Sequence, residues 1–173
     1  MKRRDVKMAP WRRTYLEQDT ILQGCFVCEA LKHEPSPDTL VLVKTALSAV
    51  MLNRYPYNNG HVMIVPIQHV SSLLSLDQPT LLELVLWTQI SESILGKTYR
   101  PQGFNVGINI GAAAGAGLES HLHIHVLPRW SGDTNFMTTV ADTRVIPETH
   151  ESTWHRLADL YRSAKDRLPD APL

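Results

Sequence analysis

His121-Leu122-His123-Ile124-His125-Val126-Leu127-Pro128-Arg129-Trp130 decides how this chain is read. Three histidines alternate with apolar residues. A β-strand turns successive side chains to opposite faces, so a strand here sets His121, His123 and His125 on one face. Leu122, Ile124 and Val126 then share the other face and point into a core. Three imidazoles without partners are costly to bury, so their face must meet water, a metal or a ligand. Just before them runs Gly111-Ala112-Ala113-Ala114-Gly115-Ala116-Gly117, whose small side chains let backbone N–H groups approach an anion. Histidines beside an anion cradle suggest phosphate chemistry. Alternating histidines also ligate zinc or iron, so on the motif alone a metal reading stands beside the phosphoryl one.

The whole chain bounds these readings. Its 173 residues are enough for one domain with a sizeable core. The 17 basic and 17 acidic residues balance, which disfavours nucleic acid as a partner but leaves a small nucleotide open. No apolar stretch is long enough to span a membrane. Met1-Lys2-Arg3-Arg4-Asp5 is not followed by the apolar core of a signal peptide, so a cytoplasmic protein is expected. In that setting Cys25 and Cys28, at C-x-x-C spacing, suggest metal or redox chemistry more than a structural disulfide.

Around the histidine stretch the elements follow from pattern. Residues 1–24 read as an N-terminal arm that could dock through Trp11 and Tyr15, and residues 25–173 as a single domain that includes a C-terminal helix. A short helical piece follows Cys28, and His33 to Asp38 is a loop. Thr39–Val43, Ala46–Leu52, His61–Pro66 and Gly103–Ile110 read as strands, with Asn59-Gly60 a turn signal. Asp77 is a helix N-cap with Pro79 in the first turn. The periodic Leu81, Leu82, Leu84, Val85, Ile90 and Ile94 carry the helix to Leu95, with Gly96 as its stop. Glu151–Leu168 reads as a terminal helix, and the tail from Pro169 as frayed. The order indicates α+β with an antiparallel sheet.

The chemistry is equally specific. A neutral imidazole held through its far nitrogen can attack phosphorus and form a covalent N–P intermediate, and neighbouring imidazoles can orient it or protonate the leaving oxygen. His123, with a histidine on either side, is best placed as nucleophile.

These residues resemble the signature of the histidine triad (HIT) superfamily of nucleotide hydrolases and transferases. The likeness extends to Asn53, Gly60-His61, Pro66, His69 and Pro128-Arg129. Ala9-Pro10-Trp11-Arg12, Asn105 to Asn109, Trp130 and Gly132 to Phe136 are similar to a bacterial branch of diadenosine tetraphosphate phosphorylases. The resemblance implies a HIT-like fold: a five-stranded antiparallel sheet, one long helix and a C-terminal helix. It implies His123 as nucleophile, His125 and His61 as supporting histidines, and Asn53 as a ribose or base contact. It also implies Asn109 near the α-phosphate, Ala116 and Gly117 in the phosphate loop, and Trp130 near the nucleotide. The substrate implied is a nucleotide or dinucleoside polyphosphate, with inorganic phosphate as acceptor and water as the alternative, and no organic cofactor. Many members carry Gly-Gln followed by Ser or Thr in that loop. Here Ala116-Gly117-Leu118 stands there, so phosphate binding must lean on backbone N–H groups or on Ser120. His125 in place of glutamine argues against the galactose-1-phosphate uridylyltransferase branch. Several bacterial members pair such cysteines with histidines matching His69 and His121, which implies a structural zinc on Cys25, Cys28, His69 and His121. His33 is a weaker alternative ligand, and His150 and His155 read as surface residues. Members are commonly homodimers, which implies residues 77–95 and a sheet edge as the interface.

Overall fold

The structure is a computed structural model describing residues 24–133 and 148–168. The N-terminal arm, most of the 132–136 motif and the tail from Pro169 lie outside the described residues. Five antiparallel strands pair in the order β1-β2-β3-β5-β4. They are β1 Val41–Lys44, β2 Ser48–Leu52, β3 Val62–Pro66, β4 Gly103–Ile108 and β5 Ile124–Arg129. Helix α1 (Phe26–Leu31) precedes the sheet, α2 (Gln78–Tyr99) joins β3 to β4, and α3 (His150–Ala164) follows β5. This is the expected α+β architecture: a five-stranded antiparallel sheet with one long helix and a C-terminal helix. No helix among the described residues is long and apolar enough to cross a membrane.

Period two divides the sheet into two cores. Val50, Leu52, Val62, Ile64, Ile124 and Val126 point to one side and pack under α2 and α3. Ala49, Met51, Met63 and Val65 point to the other, where α1 covers them through Val27 and partly buried Phe26. Strands β2 and β3 are buried throughout because both their faces are covered. On β5 the burial alternates, with Ile124 and Val126 inward and His125 toward the α1 side, opposite Met63 of β3.

Helix α2 starts where expected: the Asp77 carboxylate accepts from Thr80 N–H at 3.0 Å. Its buried residues Thr80, Glu83, Leu84, Trp87, Ser91, Ile94 and Leu95 recur at helical spacing. Glu83 is a buried carboxylate, and it accepts hydrogen bonds from Thr45 Oγ1 and, at 2.5 Å, from Ser48 Oγ. It thereby ties the helix to the β1–β2 turn. The helix does not stop at Gly96. It continues to Tyr99 and ends at Arg100, which takes the left-handed conformation (φ 48°). Gly96 lies inside the helix near Phe104 of β4, with room for a Cβ at ordinary contact distance. In α3, Thr149 accepts from Ser152 N–H at 3.1 Å, and Trp154, Leu157, Ala158, Tyr161 and Ala164 form the buried stripe. Trp154 Nε1–H donates to Val41 O at 2.7 Å, pinning α3 to β1.

Candidate active site and metal centre

The histidine stretch enters the sheet later than the alternation predicts: ladder pairing starts at Ile124, and His121 and His123 precede it outside the strand, His121 at a bend. The small-residue loop turns through Gly111 and Gly115, both at positive φ, with a 3-10 turn over Ala112–Ala114. Ala116 is buried and Leu118 packs against the α1-side core. Ser120 is exposed. Ile108 pairs with Ile124, so the register carries Asn109 to the level of His123.

Ring hydrogen bonds assign the histidine tautomers in turn. His123 Nδ1–H donates to the His121 carbonyl at 2.9 Å, which leaves the His123 Nε2 lone pair for chemistry. Tyr57 N–H donates to His61 Nδ1 at 3.1 Å, so the proton of neutral His61 sits on Nε2. That Nε2–H donates to His125 Nδ1 at 3.0 Å, so neutral His125 carries its proton on Nε2. Asn53 Nδ2 stands 3.4 Å from His61 Nε2, too long to compete with that bond. The His123 and His125 rings meet edge-on with centroids 4.7 Å apart, and Tyr57 lies 4.9 Å from the His61 ring. A ring with a free lone pair and an N–H donor thus stand side by side. Burial lowers the pKa of His123, opposed by its bond to the His121 carbonyl. Burial, helped by the proximity of His123, pushes His125 down to about 4. Both rings are therefore neutral near pH 7.

Trp130 follows β5 directly. Asp133 holds that turn, accepting from Arg129 Nε at 2.6 Å, from Trp130 N–H at 3.2 Å and from Asn58 Nδ2 at 2.8 Å. The Arg129 guanidinium holds the Asp133 carboxyl well below the usual carboxylate range. This links the Trp130 turn to the Asn53–His61 loop; Asp133 lies in the Gly132 to Phe136 motif, but Asn58, its partner, is not singled out by local pattern.

Beside this histidine group lies a second cluster, which His121 joins to it. The ligand atoms of Cys25, Cys28, His69 and His121 all fall within 4.8 Å of one another. Nδ1 of His121 lies 3.3 Å from Nδ1 of His69, 3.4 Å from Cys25 Sγ and 3.5 Å from Cys28 Sγ; Cys28 Sγ is 3.1 Å from His69 Nδ1. A tetrahedral zinc with ordinary bond lengths needs N···N near ~3.3 Å and N···S near ~3.5 Å, so the set fits. Outer-shell support is also in place: His121 Nε2–H donates to Pro66 O at 2.9 Å, turning Nδ1 toward the cysteines. Burial lowers the pKa of His121 and pushes the Cys28 thiol up to about 11. His33 is not in this cluster; it is exposed and pairs with Glu29 at 3.6 Å. His155 is exposed, whereas His150 is half-buried and donates through Nε2–H to Asn53 O at 3.2 Å.

The profile of the HIT domain family matches residues 34–132, more than half of the chain. The chain belongs to the HIT family. It is 44% identical over 119 residues to the AP-4-A phosphorylase of Mycobacterium tuberculosis (strain ATCC 25618 / H37Rv), covering 69% of this chain and 61% of that protein. The chain therefore spans about three fifths of that relative's length. It is 28% identical over 127 residues to a bis(5'-nucleosyl)-tetraphosphatase [asymmetrical] of Schizosaccharomyces pombe, covering 73% of this chain and 66% of that one. In structure it is similar to a hypothetical histidine triad nucleotide-binding protein from Sulfolobus tokodaii. The TM-score is 0.65 and the identity 24%, over 86% of this chain and 99% of that one. The last likeness supports the HIT fold.

Proposed function

We propose that this HIT-family chain is a nucleotidyltransferase that cleaves dinucleoside polyphosphates such as diadenosine tetraphosphate, with inorganic phosphate as acceptor. The observation that carries the reading is the tautomer order, which leaves His123 with a lone pair beside the N–H of His125. His123 Nε2 attacks the α-phosphorus, the N–P bond forms and the bridging P–O bond breaks. His125 Nε2–H stabilises the leaving nucleoside triphosphate oxygen. Phosphate oxygen then attacks the same phosphorus, the P–N bond breaks, and a nucleoside diphosphate leaves. Asn53 contacts the ribose or base, Trp130 packs near the nucleotide, and Asn109, Ala116, Gly117 and Ser120 surround the phosphates. The similarity to an AP-4-A phosphorylase favours phosphate as acceptor. The tetraphosphatase relative favours the second reading, a hydrolase with the same first step and water in the second. Turnover of diadenosine tetraphosphate with and without phosphate, products separated by ion exchange, decides between them. ADP appears only with phosphate on the first reading, and ATP with AMP regardless of phosphate on the second. Turnover surviving in His123→Ala would sink both.

Zinc on Cys25, Cys28, His69 and His121 would be structural, cross-linking α1, the residues after β3 and the start of the histidine stretch. The protein then pairs as a homodimer through α2 and the free edge of β4, where Leu82, Val85 and Val106 are exposed. A cytoplasmic site suits two free cysteines.

A further inference from the structure

The family match ends at residue 132, yet the first turn of α3 touches the loop that carries Asn53 and His61. That loop is closed on itself by Asn53 N–H donating to His61 O at 3.0 Å. Two side chains from outside the matched region grip it. At one end His150 Nε2–H donates to the Asn53 carbonyl at 3.2 Å, across 97 positions of sequence. His150 is not the cap of α3, a role Thr149 fills, so its side chain is not needed to start the helix.

At the other end the grip is indirect. Glu148 accepts from Tyr99 O–H at 3.0 Å and from Thr153 O–H at 3.1 Å, and pairs with Arg156 at 2.9 Å. The Arg156 guanidinium lies over the Tyr99 ring, 5.8 Å from its centroid. The ring thus fixed stands against Gly60, where an added Cβ would fall 2.8 Å from Tyr99 Cε2. Between the two grips only a cavity of about 20 Å³ remains, bounded by Asn53, Asn59, His61, Glu148, His150 and Thr153. That is room for a single water.

We propose that His150 is a positioning residue for the nucleotide site: it holds the Asn53 backbone, and with it the Asn53 side chain and His61, in the geometry that receives the nucleotide. The inference rests on the assignment of Asn53 as a nucleotide contact made above. Helix α3 then acts as a working wall of the site as well as a cover for the core. A hydrogen bond of this kind contributes a modest net free energy, so its loss reads as a change of about fivefold in affinity.

The test compares the full chain with His150→Ala, His150→Gln and, as a control on the same helix, His155→Ala. Each is measured for kcat and KM on diadenosine tetraphosphate with phosphate, for AMP binding by calorimetry, and for Tm. His150→Ala is expected to raise KM and the AMP Kd about fivefold with kcat within about twofold. Glutamine, whose Nε2 can donate to the same carbonyl, should recover most of the loss, and His155→Ala should change nothing. AMP affinity unchanged in His150→Ala overturns the proposal. So does a loss of affinity that His155→Ala shares or that glutamine does not recover. If the wild type binds AMP but does not cleave the substrate, the catalytic reading fails while the AMP comparison still decides on His150. A wild type that does neither overturns both.

Discussion

Gly60 is where helix α2 touches the Asn53–His61 loop through Tyr99 and Leu95, and Gly60→Ala should damage both stability and activity. Two separate costs follow from the geometry. The backbone at Gly60 has φ +71°, which for an L side chain costs about 1–2 kcal/mol. The new methyl would also stand 2.8 Å from Tyr99 Cε2 and 3.2 Å from Leu95 Cδ2. Tyr99 cannot simply swing away, because Glu148 holds its hydroxyl and Arg156 covers its ring. Overpacking of this kind adds about 1–3 kcal/mol, for a total of roughly 2–5 kcal/mol. Urea unfolding of wild type, Gly60→Ala, Tyr99→Leu and the double variant separates the two. The steric part should vanish when Tyr99 is shortened, so the double variant should be more stable than the sum of the single changes by about 1–3 kcal/mol, while the backbone part persists. Because His61 is the next residue, kcat should fall in Gly60→Ala even where the protein is fully folded. A Gly60→Ala cost below about 1 kcal/mol, or additivity with Tyr99→Leu, would refute this account of the contact.

Three further outcomes are expected. Native mass spectrometry of untagged protein should show one zinc per chain, and chelation should lower Tm by roughly 10 °C, with Cys28→Ser showing the lower Tm without chelator; a metal-free protein of unchanged Tm would count against the centre. Stability should fall with acidification between pH 6.5 and 4, because the unfolded chain binds a proton on His125 that the folded chain refuses until about pH 4. The contribution is fully present above pH 6.5, is on the order of 3 kcal/mol, and its removal in His125→Asn should make the urea midpoint fall less steeply over that window, with His121 and His123 carrying the remaining slope. Finally, Val106→Asp on the exposed edge of β4 should convert a dimer to monomer in sedimentation velocity while leaving the far-UV spectrum unchanged; a monomeric wild type would remove the basis for this.

Local pattern made much of this molecule legible because its periods are regular. Alternation along Leu122, Ile124 and Val126, and the helical spacing from Thr80 to Leu95, each reflect one buried face, which a short window can detect. What escaped the reading depends on contacts distant in sequence. Gly96 resembles a helix stop, yet α2 runs on through it to Tyr99 and ends at Arg100 in the left-handed conformation. Leu40 takes positive φ at 62°, so β1 begins at Val41 rather than Thr39. His150 carries no local mark that would set it apart from His155, and only the docking of α3 brings it to Asn53. The Cys25–Cys28–His69–His121 cluster is an intermediate case: the C-x-x-C spacing is local, but its two histidines come from segments 41 and 93 positions beyond Cys28. The order of ring hydrogen bonds was invisible in sequence, because three of the partners that fix it are backbone groups of Tyr57, Pro66 and His121.

Helix α2 is fastened near both ends, by Glu83 to the β1–β2 turn and by Tyr99 to the loop before His61. Those two fastenings are sixteen residues apart, about 24 Å along the axis, and a single residue inserted between them would turn one by about 100° relative to the other. The length of α2 therefore behaves as a gauge for the distance between the two hairpin ends. Any change in the count of residues between Glu83 and Tyr99 should release one of the two.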